Sequence, residues 1–348
     1  MASAELHATQ DDPGRTTARD SAALSVLGAV GVVLVLYSYL VAVWPSRQGE
    51  TFGVVSLLRR WVNEPMGIGS DFGFLGTALI FLIAGYLGAR SMDVEPLGRF
   101  VLRLLVTFAA LALVTSGLVF LAGLAGGEAY RGSGLELGPD PSSGYFLLII
   151  SLFVLSALLC RPLARIHPAW AVAAQIVVSS VPVFLGAGAE GLPRSLSLQF
   201  AFLPILIIGQ LAWSVRTARM PLWLAVVLGM AAFQVMAWAE RSYHELLPWW
   251  YPLSAVFAML FFLLLLNHPP RFGLHAVFGW LFDRRYPALL FTVTLGWATL
   301  SLLGPVVPTG LAVLASLLIT LAAADGYHRL IEKPLRRLLV RGRPPQGA

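Results

Sequence analysis

The chain has 348 residues, of which 57% are hydrophobic and only 12% charged, with a mean hydropathy of +0.77. A soluble domain carries about 25% charged residues, so this composition leaves too few charges to solvate a surface and excludes a water-soluble globular protein. The formal net charge of +6 has no basic helix or ribbon outside the apolar segments to carry it, which argues against a nucleic-acid partner.

Residues 1–23, with Asp11, Asp12, Pro13 and Gly14 and little apolar content, read as a disordered cytoplasmic arm. They lack the charged, apolar, small-residue order of a cleavable signal peptide. From Leu24 to Ala324 follow apolar runs of about 18 to 25 residues, long enough to cross a hydrocarbon core of about 30 Å as helices. Ten spans are expected, near 24–45, 70–89, 100–124, 143–160, 168–187, 197–214, 219–239, 246–267, 285–303 and 306–324. The last break rests on Gly304, Pro305 and Pro308, so nine is the alternative count. The expected fold class is all-α, a polytopic transmembrane helical bundle occupying 24–338, followed by a basic cytoplasmic tail at 339–348.

Between the first two spans, Leu57-Leu58-Arg59-Arg60-Trp61-Val62 predicts a short amphipathic helix at the interface. The Gly-rich, acidic stretch 125–142 predicts a flexible external loop. Lys and Arg are retained on the cytoplasmic side of a membrane. With the N-terminus inside, all but six of the 24 basic residues (Arg47, Arg59, Arg60, Arg131, Arg194 and Arg241) fall on that side. Both termini are therefore expected to be cytoplasmic, in a multi-pass cell-membrane protein whose first partner is lipid.

Chemistry-bearing residues are sparse. Cys160 is the only cysteine, which excludes an intramolecular disulfide and a cysteine metal cluster. The six histidines include no i, i+4 pair, so no metal site is expected. Asp71 and Asp325 lie near span ends, where a carboxylate is either interfacial or functional. Glu240, Arg241, His244 and Glu245 share one outer turn and offer a source of acid/base groups. Trp249-Trp250-Tyr251 reads as an aromatic belt or a platform for a sugar.

Three segments taken together resemble a known family. The run from Asp71 to Leu87, which includes Gly85, resembles the second-span motif of the acyltransferase-three family of integral-membrane O-acyltransferases. Asp283-Arg284-Arg285-Tyr286-Pro287 resembles the segment that opens a late span of that family. Tyr327-His328-Arg329-Leu330-Ile331-Glu332-Lys333-Pro334 with Arg336 and Arg337 resembles its closing motif. The resemblance implies a ten-span fold and transfer of an acyl group from acyl-CoA to a hydroxyl of a cell-envelope polysaccharide, glycolipid or small molecule. It also implies that Arg99 and Arg103, at the inner mouth before the third span, hold phosphates of an acyl-CoA donor, with no resident cofactor.

The chain departs from the family at its catalytic Arg and His, whose first-span positions here are Gly28 and Tyr39. A sugar hydroxyl needs a base with a pKa near the working pH as it attacks a thioester, and a tyrosine, at about 10, is a poor one. Tyr39, or His244 from the outer turn, is what remains for that role. Three functions follow as expectations: an O-acyltransferase with a rearranged base, a catalytically inactive relative that binds an acyl or glycan ligand or scaffolds a membrane protein partner, and a transporter or flippase.

Overall fold

The computed structural model describes residues 13–69, 71–128, 145–190, 192–244, 247, 249–268 and 275–341. Among these residues the chain is helical throughout, and nine helices are long and apolar enough to cross a membrane. A shorter apolar helix at Leu147–Leu159 stands where the fourth span was expected. The described residues thus support a multi-pass bundle of nine long helices plus this shorter one.

Helix α1 begins at Pro13 and runs to Leu36, then continues through a wide π-helical turn at Tyr37–Val43 into Trp44–Arg47. This corrects the expectation of a disordered arm over 1–23: residues 13–23 are helical, and Asp20 is buried. Residues 1–12 lie outside the described residues. Helix α2 follows as Gly53–Leu58, a π turn at Arg59–Asn63, and Glu64–Met66. Val54, Leu57 and Trp61 are exposed on it while Val55 is buried, giving it an exposed apolar face at i, i+3, i+7.

Helices α3 (Gly73–Val94) and α4 (Leu97–Leu124) come next, then α5 (Tyr145–Leu159) and α6 (Pro168–Gly186). The sixth expected span is broken in two, α7 (Leu192–Phe200) and α8 (Leu203–Arg216). Then come α9 (Leu222–Ser242), α10 (Trp250–Asn267) and α11 (His275–Asp283), the last a short helix not anticipated from the sequence. Helix α12 runs Arg285–Phe291, π turn Thr292–Gly296, Trp297–Leu303; α13 runs Thr309–Tyr327, π turn His328–Glu332, Lys333–Arg341. The break at 304–308 is present. The external loop expected at 125–142 and the tail at 339–348 fall mostly outside the described residues.

Helix α3 is the hub, packed between α1, α8 and α10. Its small residues let backbones approach, which is how helices associate where lipid removes the usual apolar driving force. A Cβ at Gly85 would strike the Leu206 carbonyl on α8, and one at Gly209 would strike the Leu82 carbonyl on α3. On the other side Gly31 of α1 and Gly76 of α3 face each other, and a Cβ at Gly76 would lie 2.7 Å from the Gly31 carbonyl oxygen. Helix α4 is the opposite case, with Leu102, Leu113, Phe120 and Leu124 exposed along it.

Among the described residues, three of the four π turns have one local cause. Each is followed, two residues after its end, by a proline: Pro45, Pro65 and Pro334. Proline has no N–H to donate and its ring clashes with the carbonyl four residues back, so the turn before it widens. The fourth, Thr292–Gly296, has no such proline. There the Thr292 and Thr294 hydroxyls donate to the Ala288 and Leu290 carbonyls at 2.6 and 2.9 Å, competing with the backbone for those acceptors.

Candidate functional site

A cavity of about 680 Å³ lies among α3, α8, α9 and α10, inside the range of about 300–1,000 Å³ common for small-ligand sites. Its wall is apolar apart from Arg216 and Asn267, at the C-terminal ends of α8 and α10. Leu82 forms the α3 side, Ile208 and Leu211 the α8 side, and Met259 the α10 side. Gly229 leaves room in the wall: a Cβ there would have only Leu211 within 4 Å, at 3.9 Å. Leu222, Val226 and Met230, which line it from α9, are also exposed on the outside of the bundle, so the cavity opens sideways toward lipid.

The polar end of the cavity is fixed by long-range contacts. Arg216 donates from Nη2 to Asp20 Oδ1 at 2.5 Å and from Nε to Asp20 Oδ2 at 3.2 Å, a two-pronged pair. Tyr86 of α3 donates to Asp20 Oδ2 at 2.8 Å. Arg216 Nη1 reaches Asn267 Oδ1 at 3.5 Å. One turn away, Asp93 accepts from Trp213 Nε1 at 2.6 Å and pairs with Arg219, while Arg90 lies 5.9 Å from the Trp213 ring centre. None of these eight residues was singled out from the sequence as part of a site: Arg90, Arg216 and Arg219 counted only as topological charge, and Tyr86 only as a member of the Asp71–Leu87 run. Asp20 and Arg216 are 196 positions apart, and no local pattern connects them.

The two first-span positions, Gly28 and Tyr39, are both packed into the interior. The Gly28 position is filled from outside, because a Cβ there would run into the Phe282 ring of α11. Tyr39 lies in the π turn of α1 and is 1% exposed, as part of the hydrophobic core. His244 is exposed beside Tyr243, whose hydroxyl donates to the Val183 carbonyl at 3.0 Å. Burial raises the Tyr243 pKa, and nearby Arg194 opposes the rise. Glu245, grouped with His244 on sequence, lies outside the described residues. Of the aromatic trio only Trp249 is exposed: Trp250 packs on Phe74, and Tyr251 donates to the Ala201 carbonyl at 2.6 Å.

The basic pair is half committed elsewhere. Arg103 donates to Glu95 at 2.6 Å and to Ser91 Oγ at 3.5 Å, and Arg99 is partly buried one turn before it. Asp71 is a helix-start residue, its Oδ1 accepting the Gly73 N–H at 2.7 Å, one of the donors a helix leaves unpaired at its first turn.

The late motifs build a second polar cluster. Arg284, buried, pairs with Asp325 at 2.5 Å, and Asp325 also accepts from Trp280 at 3.2 Å and pairs with Arg329 at 2.8 Å. Arg285 donates to the Phe282 carbonyl at 2.8 Å and its guanidinium lies 4.2 and 4.5 Å from the Phe282 and Tyr286 ring centres, distances at which a cation is attracted to a ring face. Glu332 is buried, held by His328 Nδ1 at 2.8 Å and by Arg336. Glu332 is thus interior while its partner Arg336 is half exposed, and Pro334 is exposed on the helix that follows. Comparison with known proteins gives no match to a family model, to a curated protein or to a solved structure.

Proposed function

We propose that this is a multi-pass cell-membrane protein, similar in architecture to the acyltransferase-three family, that binds a lipid acyl chain and does not transfer it. The observation that carries the reading is the apolar cavity of about 680 Å³ whose only polar wall residues, Arg216 and Asn267, stand at one end. An acyl chain matches such a space by burying CH₂ groups against Leu, Ile and Met, and a polar head matches its end. The packing at Gly28 and Tyr39 supports binding over transfer, because neither position presents a base to a substrate. The distribution of Lys and Arg supports a cytoplasmic position for the face holding Asp20, Arg216 and the Lys333–Arg341 helix.

The test is native mass spectrometry of protein released from detergent with its bound lipid, alongside an acyl-CoA turnover assay. Wild type is expected to retain lipid and to show no turnover above background. Gly229→Trp, which fills the cavity, is expected to lose the lipid while keeping its thermal transition. Equal lipid retention by Gly229→Trp refutes the cavity as the site, and wild-type turnover refutes the non-catalytic reading.

A further inference from the structure

We infer that the lipid in this cavity is an anionic phospholipid of the leaflet on the Arg216 side, with its phosphate seated at Arg216 and Asn267 and its preference set by Arg90. The inference rests on the acyl-chain reading of the cavity and adds the chemistry of the head. Arg216 is held rigid by Asp20, which takes one N–H on Nε and one on Nη2. A guanidinium has five N–H donors, so the edge toward Asn267 keeps donors for an oxyanion, already oriented by the pair behind it. The Asn267 side-chain amide uses one N–H on the Leu263 carbonyl at 3.0 Å and has a second to give.

Charge at this end favours an anion over a zwitterion. Among the residues whose side chains are described, three guanidinium groups, Arg90, Arg216 and Arg219, face two carboxylates, Asp20 and Asp93. Asp20 is taken by Arg216 and Tyr86, and Asp93 by Arg219 and Trp213. Among the described residues Arg90 has a ring, Trp213, and no carboxylate in ion-pair contact. One positive charge is left over among them, on Arg90, 5.9 Å from the ring centre of Trp213, which precedes Arg216 by three residues on α8. A basic residue near a membrane surface contributes about 1 kcal/mol toward an anionic lipid, which is about a fivefold preference.

The experiment reconstitutes the full chain in nanodiscs of equal phosphatidylglycerol and phosphatidylcholine and measures which lipid is carried through release. Wild type is expected to carry phosphatidylglycerol in about fivefold excess, falling as salt is raised. Arg90→Gln is expected to bring the ratio near one with total bound lipid unchanged, and Arg90→Lys to keep the excess. Gly229→Trp is expected to lose both lipids. A wild-type ratio near one, or an excess that survives in Arg90→Gln, overturns the head assignment while leaving the cavity as an acyl site. Phosphatidylglycerol excess that persists in Gly229→Trp places the lipid elsewhere and overturns both readings.

Discussion

Gly28 sits against the Phe282 ring, so the absence of a side chain there is a packing requirement of the contact between α1 and α11. Installing the family's pair, Gly28→Arg with Tyr39→His, therefore forces an arginine into space held by an aromatic ring. Overpacking of this kind costs about 1–3 kcal/mol, and a buried unpaired charge adds to it. The double variant is expected to lose thermal stability in detergent and to gain no acyl-CoA turnover; measurable transfer by a stably folded double variant contradicts this. The single change Tyr39→Phe is expected to leave lipid retention intact. That position 28 carries no side chain was legible in the sequence. What fills the space was not, since Phe282 lies 254 positions further on, in a helix too short to register as a span.

At the scale of elements, the apolar runs gave nearly every long helix, because roughly 20 residues without charge have few alternatives in a bilayer. The short helix α2 was legible too, through Leu57, Leu58 and Trp61 beside Arg59 and Arg60. The wide turns were not anticipated, although their signal was present: Pro45, Pro65 and Pro334 each stand at one fixed offset after a turn. Asp20 was misassigned because its neighbours are polar, and only Arg216 and Tyr86, supplied by α8 and α3, give it a reason to be ordered. The joint between α11 and α13 makes a prediction of its own. Arg284 is buried and paired with Asp325, and removing one partner of such a pair typically costs about 3–5 kcal/mol, whereas replacing both with apolar groups is often neutral. Asp325→Asn is expected to lower the thermal midpoint sharply, and Arg284→Met with Asp325→Leu to restore most of it. A midpoint for Asp325→Asn equal to wild type shows that the pair does not hold the joint.

For the whole molecule, orientation is the reading that the charge distribution carries and the helices alone do not. In a Cys160→Ser background, a membrane-impermeant thiol reagent applied from outside is expected to label Ser46→Cys and to spare Arg337→Cys; the reverse pattern inverts the molecule. The cavity was not legible at all, since its walls come from four helices and each apolar wall residue reads alone as ordinary lipid-facing surface. The hub position of α3 has a consequence in time. Its glycine contact with α8 joins Gly85 to Leu206, and at a synthesis rate of about 5–20 residues per second the 121 residues between them take about 6–24 s to appear. During that interval α3 stands in the bilayer with its small-residue face against lipid. It has no charged side chain from Gly73 to Ala89, so it is equipped to wait as an independent span until its later partners are made.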